Sequence, residues 1–192
     1  MKQLIQQQSQ QLQRRPKNNS LDQVILVNES DHQLGVMDKV SAHRHPARLH
    51  RASSVLLYNS QGEWLIQQRS AYKIVGANQW ANACCGNLRP GENYKQCAVR
   101  RLKEELDIAG VWLKRLHKFI YKIECNDEFG EHEMDTVFVG QYEGLVNPNP
   151  LEVKNIRWIS TKELLEELDQ NKSVYAPWTK LVLLTHPDFT KE

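Results

Sequence analysis

Between positions 80 and 108 the chain reads WANACCGNLRPGENYKQCAVRRLKEELDI, and little else in it is as constraining. Small and reactive residues come first (Asn82, Cys84, Cys85, Gly86), then a Pro90-Gly91 turn, then a carboxylate-rich segment. Asn93 is a good helix N-cap, and Ala98, Leu102 and Leu106 recur every four residues as a stripe that must be buried. Arg101 and Glu105, one helical turn apart, share a face with Glu104 beside them. A glycine-containing loop feeding a helix with several carboxylates suits a hard divalent cation that bridges to a diphosphate.

The rest of the chain narrows the setting. Its 192 residues are one domain's worth, enough for a sizeable core. A formal net charge of +2, from intermixed basic and acidic residues, points to neither nucleic acid nor a membrane surface. There is no apolar run near roughly eighteen residues and no secretory signal. Cys84, Cys85, Cys97 and Cys125 show no disulfide framework, so reduced thiols and a cytoplasmic location are expected. Residues 1–20 are a polar, Gln-rich lead with only Leu4, Ile5 and Leu12 to bury. They are expected to form a flexible extension or frayed helix, followed by a single domain over 21–192.

Residues 23–27 read as a strand, 28–35 as a polar turn and 36–40 as a second strand. Apolar runs at 54–58 and 64–69 flank Asn59-Ser60-Gln61-Gly62, a hairpin signal. Further strands are expected at 116–124, where Phe119, Tyr121 and Ile123 alternate, at 134–142 and at 153–159. Ser160 and Glu163 form a capping box for a helix to about Asp169, and a last helix is expected over 178–184. Three helices arriving singly among many strands predict an α+β fold, a mixed sheet sandwiched between helices.

Three clusters outside the helix can carry chemistry. His43, His45 and His50 surround a proline, and spacing alone favours surface histidines over a metal site. Glu131 and Glu133 flank His132; in an extended segment the two carboxylates share a face and repel unless a cation or proton lies between them. Cys85 sits in the loop before the helix, either as a small buried residue or, near a metal, as a thiolate base.

The helix and its loop resemble the Nudix signature: Gly86, Glu92, Arg100, Leu102, Glu104, Glu105 and Ile108 fall on it in register. Arg101 stands where the hydrolases carry a metal-binding glutamate, and Asp107 where they carry glycine. An arginine cannot ligate a metal but can bind phosphate bidentately. From about Asp22 to Trp178 the chain is similar to one branch of that fold, the type 1 isopentenyl-diphosphate delta-isomerases. The family's A-H…R-L-H stretch matches Ala42-His43 and Arg48-Leu49-His50. Its N-x-x-C-G-H-P matches Asn82 to Leu88, with Asn87 and Leu88 in place of the histidine and proline. Its Glu-x-Glu matches Glu131 and Glu133, its tyrosine Tyr121, its late Pro-Trp Pro177-Trp178, and its arginine Arg101.

The resemblance implies conversion of isopentenyl diphosphate to dimethylallyl diphosphate through a carbocation. Cys85 would be one proton-transfer group and Glu133 with Tyr121 the other, with Trp178 facing the cation. It implies manganese or zinc at His43, His50, Glu131 and Glu133, with Asn87 as a further ligand through its carbonyl oxygen, weaker than the imidazole it replaces. Lys39, Arg69, Lys73 and Arg101 would receive the diphosphate, with magnesium at Glu105. The expected partner is a small isoprenyl diphosphate, with no nucleic acid or membrane and a monomer or weak homodimer. A Nudix pyrophosphohydrolase and an inactive Nudix binding domain are the alternatives.

Overall fold

The computed structural model describes residues 22–190, so the expectation for residues 1–20 lies outside the described residues. Nine strands form one mixed sheet: β1 Gln23–Val27, β2 Gln33–Asp38, β3 His50–Tyr58, β4 Trp64–Arg69, β5 Trp80–Asn82, β6 Cys84–Asn87, β7 Lys114–Glu124, β8 Gly130–Gln141 and β9 Val153–Ile159. Four helices join them: α1 Lys39–His43, α2 Tyr94–Leu106, α3 Thr161–Gln170 and α4 Thr179–Leu183. β3 is the hub. It runs parallel to β8 over nine residue pairs and antiparallel to β6 over four, with single-pair contacts to β1 and β4. β4 carries β5 on one edge and β9 on the other.

The period-two alternation of β3 sends its side chains to two different cores. Val55 and Leu57 pack with Ala98, Leu102 and Leu106, the stripe of α2. Leu56, with Val137 and Val139 of β8, packs against Leu164 and Leu168 of α3 and Val182 and Leu183 of α4. Each fully buried leucine or valine stabilises by about 1.5–3 kcal/mol, so both faces are firmly closed. This is the expected α+β sandwich.

Local chemistry sets the element ends. Asn93 accepts the Gln96 amide hydrogen while the Gln96 side chain caps Asn93 in return, a reciprocal cap worth about 1 kcal/mol. Asp107 takes φ 57° as the left-handed end of α2, which explains how an aspartate serves at the signature's glycine position. Three expectations differ. The strand expected at 36–40 ends at Asp38, whose side chain accepts the Ser41 amide hydrogen and starts α1, a helix the sequence reading missed. The polar turn is shorter, because Asn28 Oδ1 closes it on Ser30 and His32. Cys85 lies on a paired strand, β6, not in a loop.

Candidate active site

The register places chemistry on one face of the sheet. Ser54 of β3 is directly paired with Cys85, and His50 with Glu133. Glu131, Glu133 and Asp135 alternate along β8 on the same side. Cys85 and Tyr121 pack with the α3/α4 core and Trp178, whereas Cys84 turns to the α2 core. The adjacent thiols therefore face opposite sides of the sheet.

Four residues form a buried metal-type cluster. One ligand atom from each of His43, His50, Glu131 and Glu133 lies within 4.8 Å of the others. Both histidines are buried, at 6% and 0% exposure, so the reading from spacing alone as surface histidines is corrected. Backbone carbonyls orient both rings: His43 Nδ1 donates to Lys39 O and His50 Nδ1 to Arg48 O, each at 2.7 Å. That leaves each Nε2 aimed into the cluster, a common device of ligating histidines. His43 Nε2 stands 3.2 Å from Glu131 Oε2, and that oxygen accepts no hydrogen bond among the described residues. A lone pair facing a buried carboxylate oxygen needs a proton or a cation between them, and two imidazoles with two carboxylates suit manganese or zinc. The residues fit a divalent ion. Burial works against a charge on His43, but Glu131 more than offsets it and raises the ring's pKa.

His45 and His132 do not join this cluster; His45 bonds Asn126 O and His132 bonds Ala47 O. Asn87 does. Its Nδ2 lies 2.7 Å from Glu133 Oε1 and 3.0 Å from His50 Nε2. Tyr121 donates to the other Glu133 oxygen at 2.6 Å. Burial disfavours charge on Glu133, yet His50 and the Tyr121 hydroxyl hold its carboxyl well below the usual range.

Around Cys85 the surroundings are acceptors. The Asn82 amide is buried and its Nδ2 is committed to Val55 O and Cys84 O, so Oδ1 faces the Cys85 thiol at 3.2 Å. Ser54 Oγ lies 3.4 Å from the same sulfur and gives its hydrogen to Asp135 Oδ2 at 2.7 Å. Burial, then the Asp135 charge, push the Cys85 thiol up to about 12. Burial and the neighbouring Glu133 charge likewise raise Asp135. The sequence reading missed Asn82 and Ser54 as thiol neighbours, and Asp135 behind them. The only signals were Asn82's place in the cysteine motif and the period-two spacing of Asp135 from Glu133.

The basic residues divide. Arg101 and Lys73 converge on Glu105 and Glu152: Arg101 reaches both carboxylates, Lys73 bonds Glu152, and Lys73 Nζ lies 3.8 Å from Glu105. Glu105, fully buried, also accepts from Gln67 Nε2 at 2.6 Å. Glu152 appeared in no sequence pattern. Lys39 is exposed overall, yet surrounding protein desolvates its ammonium, and this, then Arg101 and Lys73 nearby, push it down to about 8. Arg69 stands apart, bonded to Val75 O, with its guanidinium 5.0 Å from the Trp178 ring centroid. Gly76 permits that stacking, since a Cβ there would come within 3.1 Å of both Arg69 and Trp178. Glu92 and Glu104 are taken by Arg89, Arg100 and Arg101, an ion-pair network that ties the loop to the helix.

The NUDIX domain model matches residues 48–181, which contain the helix, the cysteine strand and Glu131 to Asp135. An isopentenyl-diphosphate Delta-isomerase of Nocardia farcinica is 40% identical over 162 residues, covering 83% of this chain and 91% of its own. The chain belongs to the Nudix-type isopentenyl-diphosphate Delta-isomerase family. A second such relative, isopentenyl-diphosphate Delta-isomerase 1 of Aromatoleum aromaticum, is 38% identical and covers 82% of this chain and 88% of its own. Among solved structures, DR0079 from Deinococcus radiodurans superposes with a TM-score of 0.71 at 22% identity, over 85% of this chain and 99% of that one. That likeness speaks for the fold. No helix among the described residues is long and apolar enough to cross a membrane.

Proposed function

We propose that this chain interconverts isopentenyl diphosphate and dimethylallyl diphosphate, with Cys85 and Glu133 as the two proton-transfer groups. The observation that carries this reading is that Cys85 and Glu133 lie on one sheet face with Tyr121 and Trp178, while Cys84 points away. In the forward direction a proton adds to the terminal methylene carbon, forming a C–H bond and leaving a tertiary carbocation. A proton then leaves the adjacent methylene carbon, and its C–H electrons become the new double bond. No proton is gained or lost overall, and the acid of one direction is the base of the other.

The remaining residues serve that path. Tyr121 orients Glu133 through its 2.6 Å bond, and Asn82 and Ser54 orient the Cys85 thiol. The Trp178 ring, 3% exposed, excludes water that would trap the cation and presents a π face worth about 2 kcal/mol once desolvated. Lys39, Lys73 and Arg101 receive the diphosphate, and Arg69 holds the tryptophan while adding positive charge. His43, His50, Glu131 and Glu133 would hold manganese or zinc, and Glu105 magnesium with the diphosphate. Those ions would supply fixed positive charge beside Glu133 and the diphosphate.

Proton NMR of the purified chain with isopentenyl diphosphate, magnesium and manganese or zinc in heavy water tests this. Dimethylallyl diphosphate carrying deuterium is the expected product. Release of phosphate would move the chain to the hydrolases, and no change from a folded sample would leave a binding domain.

A further inference from the structure

We propose that Asn87 is a built-in competitor for the metal: its side-chain amide donates to both His50 and Glu133, and a divalent ion must displace it to take those residues as ligands. The inference rests on the metal centre of the isomerase reading above.

The partners dictate which way the amide points. Arg48 O can only accept, so the 2.7 Å contact puts a hydrogen of His50 on Nδ1, and the neutral ring, the form that takes a metal, carries its lone pair on Nε2. Glu133 Oε1 is likewise an acceptor. The group bridging them must therefore donate twice, and the two hydrogens of Asn87 Nδ2 do so at 3.0 and 2.7 Å. The opposite orientation would set the amide oxygen against a carboxylate oxygen at 2.7 Å with no hydrogen between them.

The cluster consequently has two unequal halves. The His50–Glu133 half is supplied with hydrogens by Asn87 and Tyr121. Among the described residues the His43–Glu131 half receives no donor from a third residue; Nε2 and Oε2 face each other at 3.2 Å. An ion entering at His43 and Glu131 has no third residue's hydrogen bond to break. To gain His50 and Glu133 it must break both Asn87 bonds. An imidazole at position 87 would offer the ion a lone pair, whereas an amide nitrogen offers none.

Isothermal titration of the full chain, stripped with chelator and free of substrate, with Mn²⁺ or Zn²⁺ separates competitor from ligand. Asn87→Ala removes donor and ligand together, and Asn87→Leu does so with the same branched side-chain skeleton, with thermal melts reporting that each is folded. Both are expected to bind the ion about tenfold tighter, the net worth of hydrogen bonds to charged partners. Equal or weaker affinity in the folded variants would overturn the proposal, weaker binding making Asn87 a ligand through its oxygen. In ¹⁵N-labelled protein the Asn87 side-chain NH₂ signal is expected to shift and exchange faster with solvent on saturation with Zn²⁺; a signal that stays put would also overturn it. None of these readouts uses turnover, so an inactive chain in the heavy-water assay would unseat the isomerase and leave the role of Asn87 to be judged by ion affinity.

Discussion

Tyr121 and Glu133 are direct antiparallel partners across β7 and β8, and the phenol donates to Glu133 Oε2 at 2.6 Å. Directly opposed positions in a ladder hold their side chains at one fixed separation. The bond is therefore a property of the sheet register. Tyr121→Phe keeps the ring and its packing but removes the donor, and is expected to lower kcat about 10²-fold with little change in KM. Glu133→Gln removes the proposed proton-transfer group and is expected to lower kcat by about 10³-fold or more, at the upper end of general acid–base contributions. Initial rates from the NMR assay check both. A Tyr121→Phe enzyme with full kcat would remove the phenol from the mechanism.

The opposed faces of Cys84 and Cys85 make a clean pair. Cys85→Ala is expected to abolish turnover with its melting temperature nearly unchanged, since Cys85 is only partly buried. Cys84→Ala is expected to remain active while losing about 1 kcal/mol, because it empties part of the fully buried α2 core. Activity in Cys85→Ala would refute the assignment.

Lys39 binds an anion only while protonated, and its ammonium is held down at about 8. Its contribution to diphosphate binding is present below that pH and lost as pH rises through it. Accordingly kcat/KM is expected to fall above about pH 8. In Lys39→Arg, whose side chain stays charged, that limb should move beyond the measurable range. A pH profile identical in the variant would place Lys39 away from the substrate.

Glu152 is held down at about 2: burial would raise it, but Lys73 and Arg101 outweigh burial. A carboxyl depressed on folding stabilises above its unfolded pKa, near 4.5, and loses that contribution as pH falls toward 2. Glu152→Gln is expected to cost on the order of 1–2 kcal/mol at pH 7, discounted for its partial exposure, and to flatten acid unfolding between about pH 4.5 and 2. The same change frees Lys73 and Arg101, so KM for the diphosphate should drop. Urea titrations across pH and steady-state kinetics measure the two effects separately.

Removal of divalent ions with chelator is expected to abolish turnover and lower the melting temperature, both restored by Mn²⁺ or Zn²⁺, since an ion that binds only the folded state stabilises by mass action. Asn87→His is expected to tighten ion binding by adding an imidazole ligand. Unchanged affinity would mean that a side chain at position 87 supplies no ligand to the ion.

Much of the molecule was legible in one dimension because its signals are local. The α2 stripe, the Asn93 cap, the hairpin at Asn59 to Gly62 and the alternation around Tyr121 each depend on neighbours within a few residues. The family resemblance worked in the same way, through spaced motifs. α1 was missed because its start lies in the Asp38 to Ser41 contact, a cap weaker in sequence than the β-branched residues around it. β6 was read as a loop because Cys-Cys-Gly-Asn has little strand propensity; pairing with β3 overrides it.

The sequence by itself determined the two-sided core, the helix that carries the signature and the residue types available for proton transfer and metal binding. Only the tertiary structure decided which residues act on one another. It turned Cys85 rather than Cys84 toward Glu133's side of the sheet, buried His43 and His50, and set Glu152 against Lys73 and Arg101. It also pointed the Asn87 amide at two acceptors. Propensity and periodicity are written over a few residues of chain, whereas hydrogen-bond partners and charge pairs are set by register between strands and helices far apart in sequence, and that register exists only once the sheet has closed.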